Sequence, residues 1–228
     1  AGDFVKLTYM EYGIEIELSE NQIYVLIAES PSFFSKLIET LYKEKQDGDG
    51  KILLSENDKI LSFSKMSEII VNPFTIDPNE RRIMQKLYQE LCAETLDQLV
   101  IETGEIHAKL ISYLEEISLK VPYHVTFDLE ENIPNLLKAY NVRLETESNN
   151  LLERIVEYLK LLHQLCRIEV VFFINLKTYL QDEELEQLYQ FAFYEKISMV
   201  LLENVQKTKL NCEKTCIIDQ DYCIINLE

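Results

Sequence analysis

Glycine and proline are scarce in this chain, with five of each among 228 residues. So few chain-breaking residues argue against a loop-rich β-sandwich and favour long regular elements. No glycine stands in GxxxxGKS/T spacing, the loop whose backbone N–H groups wrap the phosphates of a nucleotide. Where such a loop would belong, after the first apolar strand, the chain reads AESPSFFSK, and Glu29 would repel a phosphate. The sequence therefore argues against P-loop nucleotide hydrolysis.

Features of membrane-spanning and secreted proteins are also missing. No apolar run approaches the roughly 20 residues that cross a bilayer, and no signal-peptide pattern opens the chain. The five cysteines are odd in number and scattered, as is typical of reduced thiols. We therefore expect a cytoplasmic protein that makes no contact with a membrane.

Catalytic signatures are missing as well. The three histidines, His107, His124 and His163, do not stand in HExxH spacing, and no GxSxG elbow is present. Carboxylate pairs occur throughout so acidic a chain, so none of them indicates an acid–base dyad. Glu203, at the end of an apolar run, is interpreted as a solvated strand-end carboxylate rather than a catalytic one. We therefore expect no enzymatic activity.

Positive charge is the last scarce feature: 22 lysines and arginines face 40 aspartates and glutamates, a formal net charge of −18. A net charge of this size disfavours nucleic-acid binding unless the cations are segregated on one surface. The chain is nevertheless 47% hydrophobic, enough to bury a core, so it is not a disordered acidic tail.

Strand-like apolar runs alternate with amphipathic segments along much of the chain. The runs IYVLIA, EVVFFIN and ISMVLLEN have the texture of strands buried on both faces of a parallel sheet. After the first run, Ser30 is a good N-cap and Pro31 fits the first helical position. VRLET, residues 142–146, is interpreted as a further strand. This alternation predicts an α/β fold with a mostly parallel sheet.

The segment from Asp77 to Ile117 has a different hydrophobic pattern, because apolar residues recur in it at helical spacing. Asp77 and Pro78 mark its start as N-cap and first position, and Gly104 makes one break plausible. A helical run this long does not fit inside a compact α/β layer. We therefore predict a discontinuous α/β head domain and an inserted, extended α-helical leg domain. The predicted bounds are 1–73 and 136–228 for the head and 74–135 for the leg.

A set of basic residues stands out where the chain enters the leg and where it returns to the head. The set consists of Arg81, Arg82, Lys86, Lys138 and Arg143. One interpretation is a solvated helix surface with local ion pairs, which is the better reading for a single subunit. The other is that these cations converge when copies of the chain assemble, so that a basic surface forms inside an acidic exterior.

A set of carboxylates lies near the predicted junction of the two domains. It consists of Asp128, Glu130, Glu131, Glu145 and Glu147. Clustered carboxylates repel one another unless a hard cation bridges them. A metal site and a mutually solvated acidic loop both remain open on these residues alone.

Over most of its length the chain resembles the Csn-two family, the small spacer-acquisition proteins of subtype II-A CRISPR loci. The resemblance rests on the order, spacing and apolar pattern of several segments. These are SFFSKLIETLY, PFTIDPNERRIMQKLYQEL, NVRLETESNNLLERIVEYLKLL, VVFFIN with YLQDEELEQL, and VLLEN with IIDQDYCII.

The resemblance implies an α/β head like a degenerate P-loop ATPase fold, with a helical leg inserted in it. It implies a homotetrameric ring whose basic hole takes linear double-stranded DNA by its ends, without sequence preference and without catalysis. The five basic residues would line the hole, and calcium held by the five carboxylates would steady the ring. Expected partners are DNA, further copies of the chain, the CRISPR integrase subunits and the RNA-guided nuclease, acting in spacer acquisition (adaptation) for antiviral defence.

Two alternatives to a DNA-binding ring remain open. One is an acidic scaffold that binds only the other proteins of the adaptation complex. The other is a residual nucleotide-binding enzyme, which the missing phosphate loop disfavours.

Overall fold

A computed structural model describes residues 5–57, 59–221 and 223–227 of the chain. The chain divides into two compact units, which we call the head (Ala1–Pro78 with Glu147–Glu228) and the insert (Asn79–Thr146). The predicted leg, residues 74–135, therefore differs from the insert at both ends. Residues 136–146, which were assigned to the head, belong to the insert because their main chain is bonded to it, as described below.

The described residues form the following elements, given in chain order. They are β1 (Val5–Tyr9), β2 (Ile14–Leu18), β3 (Ile23–Ala28), α1 (Pro31–Asp47), β4 (Ile52–Glu56), β5 (Lys59–Leu61), α2 (Phe63–Met66), β6 (Ser67–Ile70), α3 (Arg81–Asp97), α4 (Val100–Ser118), α5 (Ile133–Ala139), α6 (Leu151–Cys166), β7 (Val170–Ile174), α7 (Asp182–Glu195), β8 (Ser198–Glu203), β9 (Glu213–Ile218) and β10 (Ile224–Leu227). Searching these residues finds no helix with both the length and the apolar character needed to cross a bilayer.

The centre of the head is a six-stranded sheet with the order β10-β9-β3-β8-β7-β6. All neighbouring strands in it are parallel except β9 and β10, which form a terminal antiparallel pair. Every residue of β3 and β7 is buried, which is the burial expected of parallel strands covered on both faces. The predicted α/β class with a mostly parallel sheet is confirmed, and the three apolar runs are its adjacent strands β3, β8 and β7.

A second, antiparallel sheet of four strands, with the order β2-β1-β4-β5, was not predicted. Its signal is the alternation in IEIEL, where Ile14, Ile16 and Leu18 are buried while the two glutamates between them are exposed. With α1 it covers one face of the large sheet, and the shared core includes Phe33 and Phe172. Ser30 caps α1 as predicted, since its side chain accepts a hydrogen bond from the Phe33 N–H.

The other face of the large sheet is covered by α6 and α7. Both helices bury one apolar side, and these sides include Leu159 of α6 and Leu188 of α7. The hydroxyl of Tyr189, on α7, donates to Glu213 Oε1 of β9 at 2.7 Å, which places α7 against this face. The head is therefore a three-layer structure in which both faces of the central strands are covered.

The insert is helical, but its elements begin and end elsewhere than predicted. Asp77 and Pro78 do not start a helix, because α3 begins at Arg81 and Glu80 is its N-cap residue. The break falls at residues 98–99, between α3 and α4, and Gly104 lies inside α4. VRLET is not a strand, because its main chain is bonded to side chains of α3 and of the residues before it rather than to a neighbouring strand.

Candidate functional site

The turn from β3 into α1 is where a phosphate-binding loop would lie, and it offers no phosphate site. Ser30 uses its hydroxyl to cap α1, and the exposed Glu29 donates its backbone N–H to the carbonyl of Ile218. A carboxylate at the helix N-terminus opposes the binding of an anion that the helix dipole would otherwise favour. The observed turn agrees with the absence of a phosphate loop from the sequence.

Two charged groups in the head interior, Lys177 and Glu213, pair with each other. Lys177 Nζ lies 2.7 and 2.8 Å from the two carboxylate oxygens of Glu213, and both side chains are almost fully buried. The same carboxylate accepts from the Tyr189 hydroxyl and from the Leu210 N–H, and Lys177 also donates to the carbonyl of Thr208. Burial and the neighbouring carboxylate raise the pKa of Tyr189, so its hydroxyl stays protonated as a donor. This network is satisfied within the head and has the character of a structural element.

Glu203 is buried, and the interpretation of this residue as a solvated strand-end carboxylate is wrong. It is only 1% exposed at the end of β8, and its Oε1 accepts the backbone N–H of Lys177 at 3.1 Å. Burial raises the pKa of Glu203 to about 7, although the Lys177 N–H and the charges of Lys177 and Lys207 act in the opposite direction. The sequence could not show this burial, because the turn that covers the carboxylate comes from 26 residues earlier in the chain.

The five basic residues all lie in the insert, and four of them are exposed. Arg81 and Lys86 lie on α3, Lys138 on α5 and Arg143 in the segment that follows it. Arg82 is half-buried and forms an ion pair with Glu80 at 3.2 Å. The structure therefore presents four of the five predicted cations to solvent and ties the fifth to a local carboxylate.

Hydrogen bonds from two side chains to the main chain of residues 142–144 bring these cations into one part of the insert. Asn79 donates its side-chain N–H to the carbonyl of Leu144 and accepts the Leu144 N–H, at 3.1 and 2.9 Å. The hydroxyl of Tyr88 donates to the carbonyl of Val142 at 2.9 Å. Since α5 also packs against α3, residues 136–146 lie along the first turns of α3. We call residues 79–86 and 136–146 together the basic end of the insert.

Charge is divided unequally between the basic end and the rest of the insert. The basic end carries five cations and only two carboxylates, Glu80 and Glu145. Residues 87–135, which we call the acidic part, carry ten carboxylates and only two lysines, Lys109 and Lys120. An acidic chain can bind nucleic acid only if its cations are segregated from its carboxylates. The insert shows this segregation within one unit of the fold.

The five candidate metal ligands lie at the surface of the protein. Asp128, Glu130, Glu131, Glu145 and Glu147 are all exposed and lie outside helices and strands. Across the described ranges, no three His, Cys, Asp or Glu side chains are grouped so that they could hold a metal ion. What holds the acidic loop is a protein contact, since His107 Nε2 lies 2.9 Å from the carbonyl of Leu129 and donates to it.

An apolar stripe on α4 is left partly exposed by the residues that the structure describes. Ile106, Leu110, Tyr113 and Ile117 are between 42% and 60% exposed, and they follow one another at spacings of four, three and four residues. This is the spacing of the contact positions in a coiled coil. The sequence signal for it was available, but helical spacing alone does not tell a buried stripe from an exposed one.

Comparisons with known proteins place the chain in a family. Residues 42–222 match the family described as CRISPR-associated protein (Cas_Csn2). The chain belongs to this Csn2 family. A CRISPR-associated protein Csn2 of Enterococcus faecalis is 24% identical over 206 residues, covering 87% of this chain and 89% of the relative. A CRISPR-associated protein Csn2 of Streptococcus agalactiae is 22% identical over 211 residues, covering 88% and 89%.

Membership of the Csn2 family confirms the resemblance found in the sequence and connects the chain with a CRISPR system. The matched segment contains all ten candidate site residues, from Arg81 to Glu147. A solved metal-chelate type ABC transporter in an inward-facing conformation is also similar, with a TM-score of 0.45 and 11% identity over all of this chain and 84% of its own. That likeness is too low to support a conclusion about fold or function.

The buried Glu203 carboxylate predicts a pH-dependent stability. Because its folded pKa is raised to about 7 from an ordinary value near 4.3, the folded chain holds a proton that the unfolded chain releases between these values. Stability from this group is therefore present at pH 4 and is lost as the pH rises towards 7. Glu203→Gln keeps the acceptor for Lys177 N–H but cannot ionise, so we expect it to stabilise the protein by on the order of 3–4 kcal/mol at pH 8 and to change little at pH 4.5.

Urea unfolding at pH 4.5 and pH 8 measures this difference. Glu29→Gln, an exposed position directly after the neighbouring strand β3, is the matched control and should have the same small effect at both values. A Glu203→Gln protein whose stability relative to wild type is the same at both pH values would show that this carboxylate does not carry the shift.

Proposed function

We propose that this chain binds the ends of linear double-stranded DNA, without sequence preference and without catalysis, through the central hole of a homotetrameric ring during CRISPR spacer acquisition. The observation that carries the proposal is the basic end of the insert, where five cations meet only two carboxylates in a chain of net charge −18. Nonspecific DNA binding needs concentrated positive charge near the phosphates and little else. We further propose that the chain works with the CRISPR integrase and the RNA-guided nuclease.

The charge distribution supports a binding site that several copies complete. A single copy presents four exposed cations against an acidic background that repels DNA. Copies that turn their basic ends towards a shared opening multiply the local positive charge and leave the acidic surfaces outside. Because the contacts would be to phosphates, they carry no sequence preference.

The apolar stripe on α4 supports assembly. Four large apolar side chains at four-three-four spacing, each more than 40% exposed, are costly to leave in water. Heptad-like spacing favours a partner helix, and a second copy of the same chain offers one. The stripe therefore fits an interface between subunits.

Charge-neutral variants of the basic end test DNA binding. Arg81→Gln with Arg143→Gln removes two exposed cations, so affinity for a linear duplex of about 30 base pairs should fall by at least about tenfold at roughly 50 mM salt, an order-of-magnitude expectation for two cations removed from phosphates. The slope of log K against log salt concentration should become shallower by roughly one for each phosphate that is no longer neutralised. Fluorescence anisotropy across a salt series measures both quantities.

The control for this experiment changes the same net charge elsewhere in the insert. Lys109→Gln with Lys120→Gln removes two cations from the acidic part and should leave affinity within about twofold. Equal decreases in both variants would mean that overall charge, rather than the basic end, governs binding. Tight binding to a covalently closed circle of the same sequence would contradict entry by DNA ends.

Variants on α4 test assembly. Leu110→Glu places a charge in the centre of the apolar stripe, so the mass in solution should fall from about four chains to a smaller species at the same concentration. Ile101→Glu makes the same chemical change on another face of the same helix, where the side chain is 74% exposed, and should leave the mass unchanged. Light scattering after gel filtration gives the masses, and a stripe variant that still forms tetramers would exclude this surface.

Calcium binding remains a proposal that the single chain does not explain. The candidate ligands Asp128, Glu130, Glu131, Glu145 and Glu147 do not gather into a three-ligand group among the described residues, and DNA binding through the basic end needs no metal ion. If calcium steadies the ring, a chelator should lower the fraction of assembled protein, and added calcium should restore it while magnesium does not. Identical elution profiles with chelator and with calcium would reject the ion as a structural component.

The acidic part of the insert supports one alternative function, which is a scaffold for other proteins. Ten carboxylates against two lysines over residues 87–135 suit a scaffold that binds basic proteins. A scaffold would co-purify with the integrase subunits yet produce no shift of linear duplex at low salt. That pair of results would replace the DNA-binding proposal.

A further inference from the structure

We propose that the free edge of β2 and the groove beside it form a docking site for an extended segment of a partner protein that carries basic residues at alternate positions. The site lies entirely in the head and does not depend on the DNA-binding proposal. It would use main-chain pairing for affinity and side-chain charge for selection, as in recognition by β-strand addition.

The edge of β2 is open on one side. In the four-stranded sheet β2 is the terminal strand, and within the described residues it pairs with β1 alone. A terminal strand presents the N–H and C=O groups of alternate residues to whatever lies beside it. The end of β2 is held in place, because the Ser19 N–H donates to the hydroxyl of Tyr24 on β3 at 3.1 Å.

A wide groove of about 1160 Å³ runs along this open edge. Ile16 of β2 forms part of one wall, Tyr24 lies on β3, and Lys214 and Cys216 of β9 line the other side. The ammonium group of Lys214 lies over the Tyr24 ring, 5.9 Å from its centroid. The groove therefore offers some apolar and aromatic surface beside an open strand edge, but Lys6, Lys209 and Lys214 also line it. Its volume exceeds that of most small-molecule pockets, which are about 300–1,000 Å³.

The charges on β2 select the occupant. Ile14, Ile16 and Leu18 point into the core, while Glu15 and Glu17 point outwards and are exposed. Lys6 of β1 pairs with Glu15 at 2.6 Å, but this carboxylate is still 58% exposed. In an added strand, residues opposite Glu15 and Glu17 would be favourable as lysine or arginine. The intervening residues would face the groove, where Ile16 and Tyr24 favour apolar side chains and where Lys209 and Lys214 disfavour further cations.

The same charges disfavour a second copy of the chain at this edge. Antiparallel pairing of β2 with the β2 strand of another copy would place glutamates next to glutamates on the outer face. Like charges directly opposite each other in a sheet are destabilising. The occupant is therefore a different, basic protein segment, with apolar and cationic residues in alternation.

Labelled peptides test the site on the full-length protein. A peptide of about nine residues with alternating valine and lysine should bind at least about tenfold more tightly than a peptide of the same composition whose lysines are grouped at one end. Glu15→Lys with Glu17→Lys should weaken binding of the alternating peptide by at least about tenfold. It should also let a peptide of alternating valine and glutamate bind in its place, because the charges at the edge are reversed.

The matched control reverses two exposed carboxylates on α7 and so changes the net charge equally. Glu183→Lys with Glu186→Lys should leave binding of the alternating lysine peptide within about twofold of wild type. Hydrogen exchange with the peptide bound should slow at β2 and leave α7 unchanged. Equal weakening by both double variants, equal affinity for the grouped-lysine peptide, or no protection of β2 would each overturn the proposal and show that Glu15 and Glu17 merely protect the edge.

Discussion

Lys177 and Glu213 form an ion pair in the interior of the head, where their side chains are 3% and 1% exposed. Burying two charges is costly, and the cost is offset only when the remaining donors and acceptors are satisfied. Here Tyr189, the Leu210 N–H and the Thr208 carbonyl complete the network. The pair therefore joins the turn after β7, helix α7, the segment before β9 and β9 itself. The charges of Lys177 and Glu213 are paired with each other inside the head and are not free for a ligand.

The paired charges of the head interior contrast with the exposed charges of the insert. The insert separates its charges along the chain and then folds so that the two cationic stretches meet, through the contacts of Asn79 with Leu144 and of Tyr88 with Val142. This arrangement lets an acidic protein present a local basic surface. The two units thus differ in how much of their side-chain surface is buried. The head has a packed core, whereas α3 and α4 of the insert bury little and expose both charged and apolar side chains.

The parts of the fold that the sequence predicted are those whose signal is local. The apolar runs of β3, β7 and β8 are long enough to indicate strands buried on both faces. Ser30 and Pro31 marked the start of α1, because a helix cap depends on neighbouring residues alone. The four-stranded sheet was missed because its strands are only three to five residues long, so even the regular alternation of IEIEL is too short a signal to stand out.

By itself, the sequence determined the α/β class, the helical character of the insert, the missing phosphate loop and the family. Only the tertiary structure decided that Glu203 is buried and that residues 142–146 form no strand. Each of these depends on partners far along the chain, such as Lys177 for Glu203 and Asn79 for Leu144. Periodicity reports how a residue relates to its neighbours in sequence, whereas burial, pairing and convergence are set by which distant segments the folded chain brings together.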